Sequence, residues 1–283
     1  MVKIGIDPEV FLKVQGKVVS AHGVIPGTKE KPFEVSKGAV QVDGMALEFN
    51  IIPTDNEDTF IENTQTVLTS LKAMLPARST LVFNPVHTFT ADYMALQPPE
   101  AKELGCNPDM NAYDMVYNPI PRGDVINFRT AAGHLHIGWR DDDEANLSDP
   151  LHIEECAMVA RELDVALGAP SCLYEPFTAG KQRRSLYGAA GSFRPKPYGM
   201  EYRVLSNFWL KEERAMRWVF NTSKQVMKNI MSTACIRAKE ECQDYREMID
   251  KVTTQARLVR LLNNKVGQRN YSSDERYASY ATL

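Results

Sequence analysis

Two histidines that alternate with apolar residues between two glycines place the tightest limit on how this chain can fold. The stretch reads Gly133-His134-Leu135-His136-Ile137-Gly138. Alternate side chains share one face of a β-strand, so both imidazoles would point the same way, about 6.6 Å apart along the strand. The glycines leave the backbone open to close approach by a ligand or another chain. The stretch indicates either a strand whose histidine face looks into a metal- or phosphate-binding site, or two core histidines satisfied by hydrogen bonds.

Two further stretches place carboxylates on backbone that reads as extended. Asp7 and Glu9 flank Pro8, which keeps Asp7 out of the helical region, so their side chains share a face. Asp43 begins a predicted tight turn between two short strands, and Glu48 lies in the second of them. Asp7 and Glu9 either form part of a binding site or lie in an acidic turn exposed to solvent. Glu48 lies either on a solvent face or in the same site as Asp43.

Residues 177–200 form the strongest charge feature, because they contain no acidic residue and four glycines. A mobile glycine-rich segment can wrap phosphates with backbone amides and guanidinium groups, whereas a solvated basic loop is the plain alternative. The segment matches neither the Walker loop nor the Rossmann turn. Its bases are Lys181, Arg183, Arg184, Arg194 and Lys196.

The basic segment leads into a strand-like stretch that carries Glu201 and Arg203 on one face. Such a pair is either a structural ion pair or a metal ligand beside a phosphate clamp. Together the five stretches would crowd carboxylates into one cavity, where they repel unless cations neutralise them. Oxygen-rich sites of this kind suit magnesium or manganese. Magnesium, arginines and a glycine-rich loop together indicate nucleotide phosphates and phosphoryl transfer.

Hydrophobic periodicity predicts helices over residues 58–75, 150–167, 212–234 and 239–262, with Gly168 ending the second. Residues 20–38 read as a loop and residues 84–122 as irregular. We expect a single domain over residues 1–267, followed by a polar tail over residues 268–283.

Composition limits the partners and the location. The chain has 283 residues, with 33 basic against 36 acidic side chains, which argues against a general nucleic-acid or anionic-membrane partner. No apolar run is long enough to cross a bilayer, and the N-terminus lacks the apolar core of a signal peptide. The five cysteines are scattered without a CxxC pair, which is typical of reduced thiols in a cytoplasmic protein.

Four of these motifs, in this order, resemble those of one superfamily. Gly5-x-Asp7-x-Glu9 is similar to the first-strand Gly-x-Glu-x-Glu of the glutamine synthetase and gamma-glutamylcysteine synthetase superfamily, with Asp7 where Glu is usual. The segment Asp43 to Glu48 resembles the second acidic motif of its amidoligase branch. Gly133-His134-Leu135-His136 and Glu201-x-Arg203 resemble its later strands. Within that branch the chain resembles the phage-encoded carboxylate-amine ligase family.

The resemblance implies an α+β fold with a curved, mostly antiparallel sheet, helices on its outer face and a helical C-terminal end. It implies ATP and magnesium, with manganese as the alternative, and an acyl phosphate that an amine converts to an amide. The substrates would be a small-molecule or peptide carboxylate and an amine, and the location would be the cytoplasm, that of the host if the chain is phage-encoded. The oligomeric state stays open.

The resemblance also assigns roles. Metal would be held by Asp7, Glu9, Asp43, Glu48, His134 and Glu201. ATP would lie near His136, with Lys181, Arg183 and Lys196 as further candidates. Arg203, Arg194 and Arg184 are the candidates for charge stabilisation in catalysis.

Two other functions remain open at this stage. A phosphotransferase of related architecture would use the same residue types and make a phosphorylated product instead of an amide. A non-catalytic phage accessory or binding protein would keep the fold without turnover.

Overall fold

The computed structural model describes residues 1–102, 104, 108–119, 126–140 and 145–232. Its strands are β1 Lys3–Ile6, β2 Glu9–Val14, β3 Lys17–Val19, β4 Phe33–Val35, β5 Gly38–Asp43, β6 Ala46–Ile51, β7 Ser79–Val82, β8 Val86–Thr88, β9 Met110–Asn111, β10 Phe128–Thr130, β11 Leu135–Gly138, β12 Ser192–Lys196 and β13 Gly199–Tyr202. Its α-helices are α1 Glu57–Met74, α2 Ala91–Ala95, α3 Pro99–Lys102, α4 Pro150–Leu163, α5 Ala169–Ser171, α6 Phe177–Arg184 and α7 Glu213–Met231. The predicted helix over 239–262 and the predicted tail over 268–283 lie outside the described residues.

Two antiparallel sheets organise the described part of the chain. The first has the strand order β1-β11-β13-β12-β9. The second has the order β3-β2-β6-β5-β4. Strand β7 also pairs with β2, along residues Phe11 to Val14. The chain passes from the first sheet to the second at Asp7 and Pro8, between β1 and β2. The backbone amide of Glu9 donates to the carbonyl of Ala132 just before β11, so the two sheets meet at this point.

Helices α1, α4 and α7 cover one face of this arrangement. Helix α4 packs on β12 and β13, α7 on β1, and α1 on β5 and β6. Side chains alternate across a strand, so Leu135 and Ile137 enter the core beneath the helices while His136 points to the opposite face. The prediction of an α+β fold with antiparallel sheets and helices on one face is confirmed.

The long helices begin where their sequences indicate. Asn56 caps α1 by accepting a hydrogen bond from the amide of Thr59. Asp149 caps α4 in the same way through Leu151, with Pro150 at the first helical position. None of the described helices is long and apolar enough to span a membrane.

The prediction that Gly168 ends the second helix was wrong. The chain continues through a π-helical turn, Asp164–Gly168, directly into α5. Leu163 at the end of α4 and Leu167 on this turn are fully buried, so tertiary packing outweighs the weak helix propensity of glycine. The turn also directs the Asp164 carboxylate to the hydroxyls of Tyr113 and Tyr202.

Three stretches predicted to be irregular contain regular elements. Strand β4 lies within residues 20–38, and β8, α2, α3 and β9 lie within residues 84–122. The basic segment 177–200 is not a mobile loop, because it contains α6 and β12. Its compactness has a physical reason: Arg183 and Arg184 are buried and hydrogen-bonded, which glycine spacing and charge do not reveal.

Candidate functional site

One row of aligned residues crosses the first sheet on the face opposite the helices. Gly5 lies opposite His136, His136 opposite Glu201, and Glu201 opposite Arg194. Gly5 leaves space beside the imidazole, since a Cβ there would lie 3.5 Å from the Cβ of His136 and 3.2 Å from the side chain of Pro53. Strand pairing therefore brings together residues that are 65 positions apart in the chain.

Asp7, at the turn between the sheets, closes this row into a cluster. Its Oδ2 lies 3.0 Å from Nε2 of His136, and its Oδ1 lies 3.6 Å from Nδ1 of His134. The same His134 nitrogen lies 3.3 Å from Oε1 of Glu201. The two histidines thus share a face, as their spacing predicted. Ligand atoms of Asp7, His136 and Glu201 all lie within 4.8 Å of one another, which is close enough to hold one metal ion.

The protonation states of the cluster differ by position. Burial and Asp7 raise the pKa of Glu201, but Arg203 and both histidines outweigh them and bring it to about 2. Burial also opposes ionisation of Asp7, yet His136 and the hydrogen bonds from both histidines hold its pKa well below the usual value. Burial and Arg203 lower the pKa of His134 to about 4, so this imidazole is neutral at pH 7, the form that binds metals.

His136 behaves differently from His134. Burial opposes its charge, but the facing Asp7 carboxylate raises its pKa above the usual value. Its Nδ1 contacts the hydroxyl of Tyr198. The facing Asp7 carboxylate, 3.0 Å away, therefore favours the charged form of His136.

Three cations surround Glu201, which is 0% exposed. Arg203 contacts its Oε1, while Arg194 and Lys196 lie 3.2 and 3.0 Å from its Oε2. Arg203 also pairs with Asp109 at 3.2 Å. Glu201 and Arg203 thus share a face, as their spacing predicted, and form an ion pair, while Arg194 and Lys196 contact the other carboxylate oxygen.

The second sheet supplies carboxylates whose charge is much less compensated. Glu9 lies opposite Glu48, and Glu48 lies opposite Gln41, whose amide donates to it at 2.8 Å. Glu9 accepts a hydrogen bond from the amide of Ala132, and Asp43 pairs with Lys29 at 2.8 Å. These contacts leave more negative charge than positive charge around Glu9 and Glu48.

The pKa values of Glu9 and Glu48 reflect this excess of negative charge. Burial and the neighbouring Asp43 raise the pKa of Glu9 to about 7. Burial, Asp7, Asp43 and Glu9 raise the pKa of Glu48 well above the usual value. Raised pKa values show that these carboxyl groups are costly to ionise together when no cation is present. A divalent cation can offset this cost by neutralising their negative charges. Oxygen donors with one or two imidazoles fit magnesium or manganese.

A cleft that is partly open to solvent is lined by both acidic and basic side chains. Glu9, Asp43 and His134 line it together with Arg203, Arg129 and Tyr187. The cleft can therefore accept a ligand that contacts both negative and positive groups.

The three remaining predicted residues lie on α6. Arg183 donates to the carbonyls of Val204 and Arg203, and Arg184 pairs with the buried Glu175. Lys181 is exposed on α6. The catalytic and ATP-binding roles assigned to these three residues stay predictions, and two of the side chains are already engaged in the packing of α6.

The sequence motifs assigned no role to several residues that the structure places at the site. Lys29 pairs with Asp43, Asp109 pairs with Arg203, and Tyr198 contacts His136. Tyr198 could have been found, because it lies in the stretch that leads into β13. Lys29 carries no local signal, since long-range chain folding alone brings it here.

Residues 149–267 match the family described as Phage phiEco32-like COOH.NH2 ligase-type 2. The match covers less than half of the chain and agrees with the family that the sequence motifs resemble. The match to the COOH.NH2 ligase family includes Arg194, Lys196, Glu201 and Arg203, and it extends beyond the described residues. No curated protein matches the sequence. Among solved structures, one titled "Crystal structure of novel glutamine synthase homolog" matches with 13% identity and a TM-score of 0.41, over 99% of this chain and 70% of that one.

Proposed function

We propose that this protein is an ATP- and magnesium-dependent ligase that joins a carboxylate to an amine. The observation that carries the proposal is the cluster in which Asp7, His136 and Glu201 converge beside the poorly compensated Glu9 and Glu48. Such a set needs divalent cations, and the name of the matched family, COOH.NH2 ligase, supports this reaction class.

The residues divide into two groups by charge. Asp7, Glu9, Asp43, Glu48, His134 and Glu201 would hold magnesium or manganese, with His136 beside ATP. Bound cations would supply charge neutralisation for the phosphates and polarise the transferring phosphoryl group. Arg203, Arg194 and Lys196 converge on Glu201, so a phosphoryl group bound at this point would meet all three cations.

The proposed reaction has two steps. A carboxylate oxygen of the substrate attacks the γ-phosphorus of ATP, the bond to the β-phosphate oxygen breaks, and ADP leaves. The amine then attacks the acyl carbon of the acyl phosphate, inorganic phosphate leaves, and one amine proton passes to a base. Positioning and charge stabilisation dominate such chemistry, and the side chains around Glu201 provide both.

The substrates are proposed to be a small-molecule or peptide carboxylate and an amine, and the use of ATP agrees with a cytoplasmic location. Hydroxylamine can replace the amine in a test that covers many carboxylates at once, because it converts an acyl phosphate to a hydroxamate, which forms a coloured complex with ferric iron. The proposal predicts magnesium-dependent hydroxamate from at least one carboxylate, and its loss in Glu201→Gln.

Other results would point elsewhere. A stable phosphorylated product without any hydroxamate would indicate a phosphotransferase. Absence of both nucleotide binding and turnover would indicate a non-catalytic binding protein, and either result would overturn the ligase proposal.

A further inference from the structure

His136 is held at both of its ring nitrogens. Nε2 faces Oδ2 of Asp7 at 3.0 Å, and Nδ1 contacts the hydroxyl of Tyr198. The centroids of the imidazole and the phenol lie 6.0 Å apart and the ring planes are tilted by 44°, so the phenol meets the imidazole through its hydroxyl and does not stack on it. Asp7 and Tyr198 therefore fix the orientation of the imidazole together.

The backbone of Tyr198 is itself fixed by the neighbouring strand. Its carbonyl accepts hydrogen bonds from the amides of Trp139 and Arg140, at 3.0 and 3.2 Å. Gly199 then begins β13 so close to β11 that a Cβ at this position would collide with the carbonyl oxygen of Ile137. Glycine permits this close approach of the two strands, which brings Tyr198 within reach of His136.

A hydroxyl is suited to His136 in either protonation state. It can accept a hydrogen bond from a protonated Nδ1, or donate one to an Nδ1 that carries no proton. Burial and the charges of Glu201 and Asp7 raise the pKa of Tyr198, so the phenol keeps its proton at neutral pH. The contact can therefore persist when the charge of the cluster changes.

The contact with Tyr198 matters most when a cation occupies the cluster. A cation that binds Asp7 takes over the carboxylate that faces Nε2 of His136. Half a rotation of the imidazole about its Cβ–Cγ bond would then exchange Nε2 for the carbon Cε1 at the cluster. The hydroxyl of Tyr198 opposes this rotation, because it would lose Nδ1 and face a ring carbon instead.

We propose that Tyr198 is a positioning residue that keeps Nε2 of His136 directed at a cation bound between Asp7 and Glu201. The inference rests on the proposed function, which places divalent cations at this cluster. A histidine that binds a metal usually has its second ring nitrogen held by another group, and loss of that group lowers metal affinity by about 10- to 100-fold. Tyr198 provides such a group from outside the set of residues to which the sequence motifs assign a role.

Manganese binding tests the inference without turnover. Electron paramagnetic resonance measures the free ion, so the affinity of the full-length wild type can be compared with that of Tyr198→Phe, which keeps the ring and loses only the hydroxyl. We expect this variant to bind manganese about 10- to 100-fold more weakly. Tyr113→Phe is the matched control, because Tyr113 donates its hydroxyl to Asp164 of the π-helical turn. Its manganese affinity should equal that of the wild type.

Two further measurements show whether Tyr198 acts through His136. The double variant Tyr198→Phe with His136→Ala should bind manganese no more weakly than His136→Ala alone, because the hydroxyl then has no imidazole to hold. In the metal-free protein, the imidazole nitrogen signals of His136 are assigned by their loss in His136→Ala and should shift in Tyr198→Phe. Those of His152, whose ring contacts the carbonyl of Lys196, should not shift and provide an internal reference.

An unchanged manganese affinity in Tyr198→Phe would overturn the inference, as would additive losses in the double variant, an equal loss in Tyr113→Phe or unshifted His136 signals. Failure of the ligase proposal gives a different pattern: Tyr198→Phe would weaken manganese binding although no carboxylate yields hydroxamate. If hydroxamate forms and the wild type and Tyr198→Phe bind manganese equally, the ligase proposal stands and the role of Tyr198 falls. A wild type that binds no manganese would overturn the inference together with the proposed cation site.

Discussion

Glu9 and Glu48 lie directly opposite each other in the antiparallel pair of β2 and β6. Like charges in this position destabilise a sheet, and burial adds to the cost of ionising either carboxyl group. The folded chain tolerates the pair because the two groups can keep a proton, or because a bound cation can replace it. Several expectations depend on this relationship.

Glu48→Gln should raise the stability of the cation-free protein and weaken magnesium binding. Removing one of two opposed negative charges should raise the free energy of unfolding by about 0.2–1 kcal/mol, which corresponds to a rise of roughly 1–4 °C in melting temperature. Thermal denaturation with and without magnesium measures both effects. Glu34→Gln is the control, since Glu34 is exposed on β4 of the same sheet and lies opposite Ala39. An unchanged magnesium response in Glu48→Gln would contradict the assignment of Glu48 as a ligand.

Magnesium affinity should rise with pH up to about pH 7. The pKa of Glu9 is raised to about 7 in the folded protein, so a cation must displace its proton below that value. A raised pKa also means that the stability contributed by this group is present below pH 4.5 and is lost as the pH rises through 7. Magnesium titrations should show about a tenfold gain in affinity per pH unit below 7, and Glu9→Gln should flatten this dependence. A pH-independent affinity in the wild type would show that Glu9 is not a ligand.

Arg194→Met should impair turnover with little loss of stability. Arg194 is partly exposed and lies 3.2 Å from Glu201, which retains Lys196 and Arg203 as partners. Loss of a cation that stabilises transition-state charge lowers kcat by about 100-fold, while a partly exposed ion pair contributes about 1 kcal/mol or less to folding. Hydroxamate kinetics and urea denaturation test the two effects separately. A normal kcat would exclude Arg194 from the catalytic group.

Arg184→Met should give the opposite result. This variant leaves the buried Glu175 without its ion-pair partner, which costs about 3–5 kcal/mol. The double variant Arg184→Met with Glu175→Leu should recover much of this stability, because no buried charge remains unpaired. At a temperature where both the single and the double variant are folded, the kcat of each variant should lie within a few fold of the wild-type value. A loss of kcat comparable to that of Arg194→Met would restore the catalytic role that the sequence assigned to Arg184.

The parts of the site that the sequence predicted depend on local alternation. His134 and His136 share a face, and Glu201 reaches Arg203, because short-range backbone geometry determines both relationships. The extended backbone around Pro8 similarly placed Asp7 at an edge where it meets the histidines. Hydrophobic periodicity also predicted helices at the positions of α1, α4 and α7, whereas the antiparallel sheets were expected from the family resemblance.

The parts that the sequence did not predict depend on tertiary packing. Arg183 and Arg184 lie in a glycine-rich basic segment, yet their guanidinium groups are buried by carbonyls and by Glu175, which comes from a separate turn. Arg129 is similar, because its three carbonyl partners come from two separate parts of the chain. Charge and spacing identify such residues as basic without showing which of them face the cleft.

The most direct test of the account is the thermal stability of the wild type and of Glu201→Gln with magnesium alone, with ATP alone and with both. At concentrations of 100 times the dissociation constant, a ligand that binds the folded protein adds about 2.7 kcal/mol. The account predicts a large stabilisation of the wild type that requires both components and is lost in Glu201→Gln. No stabilisation of the wild type under any of these conditions would contradict the proposed metal–nucleotide site.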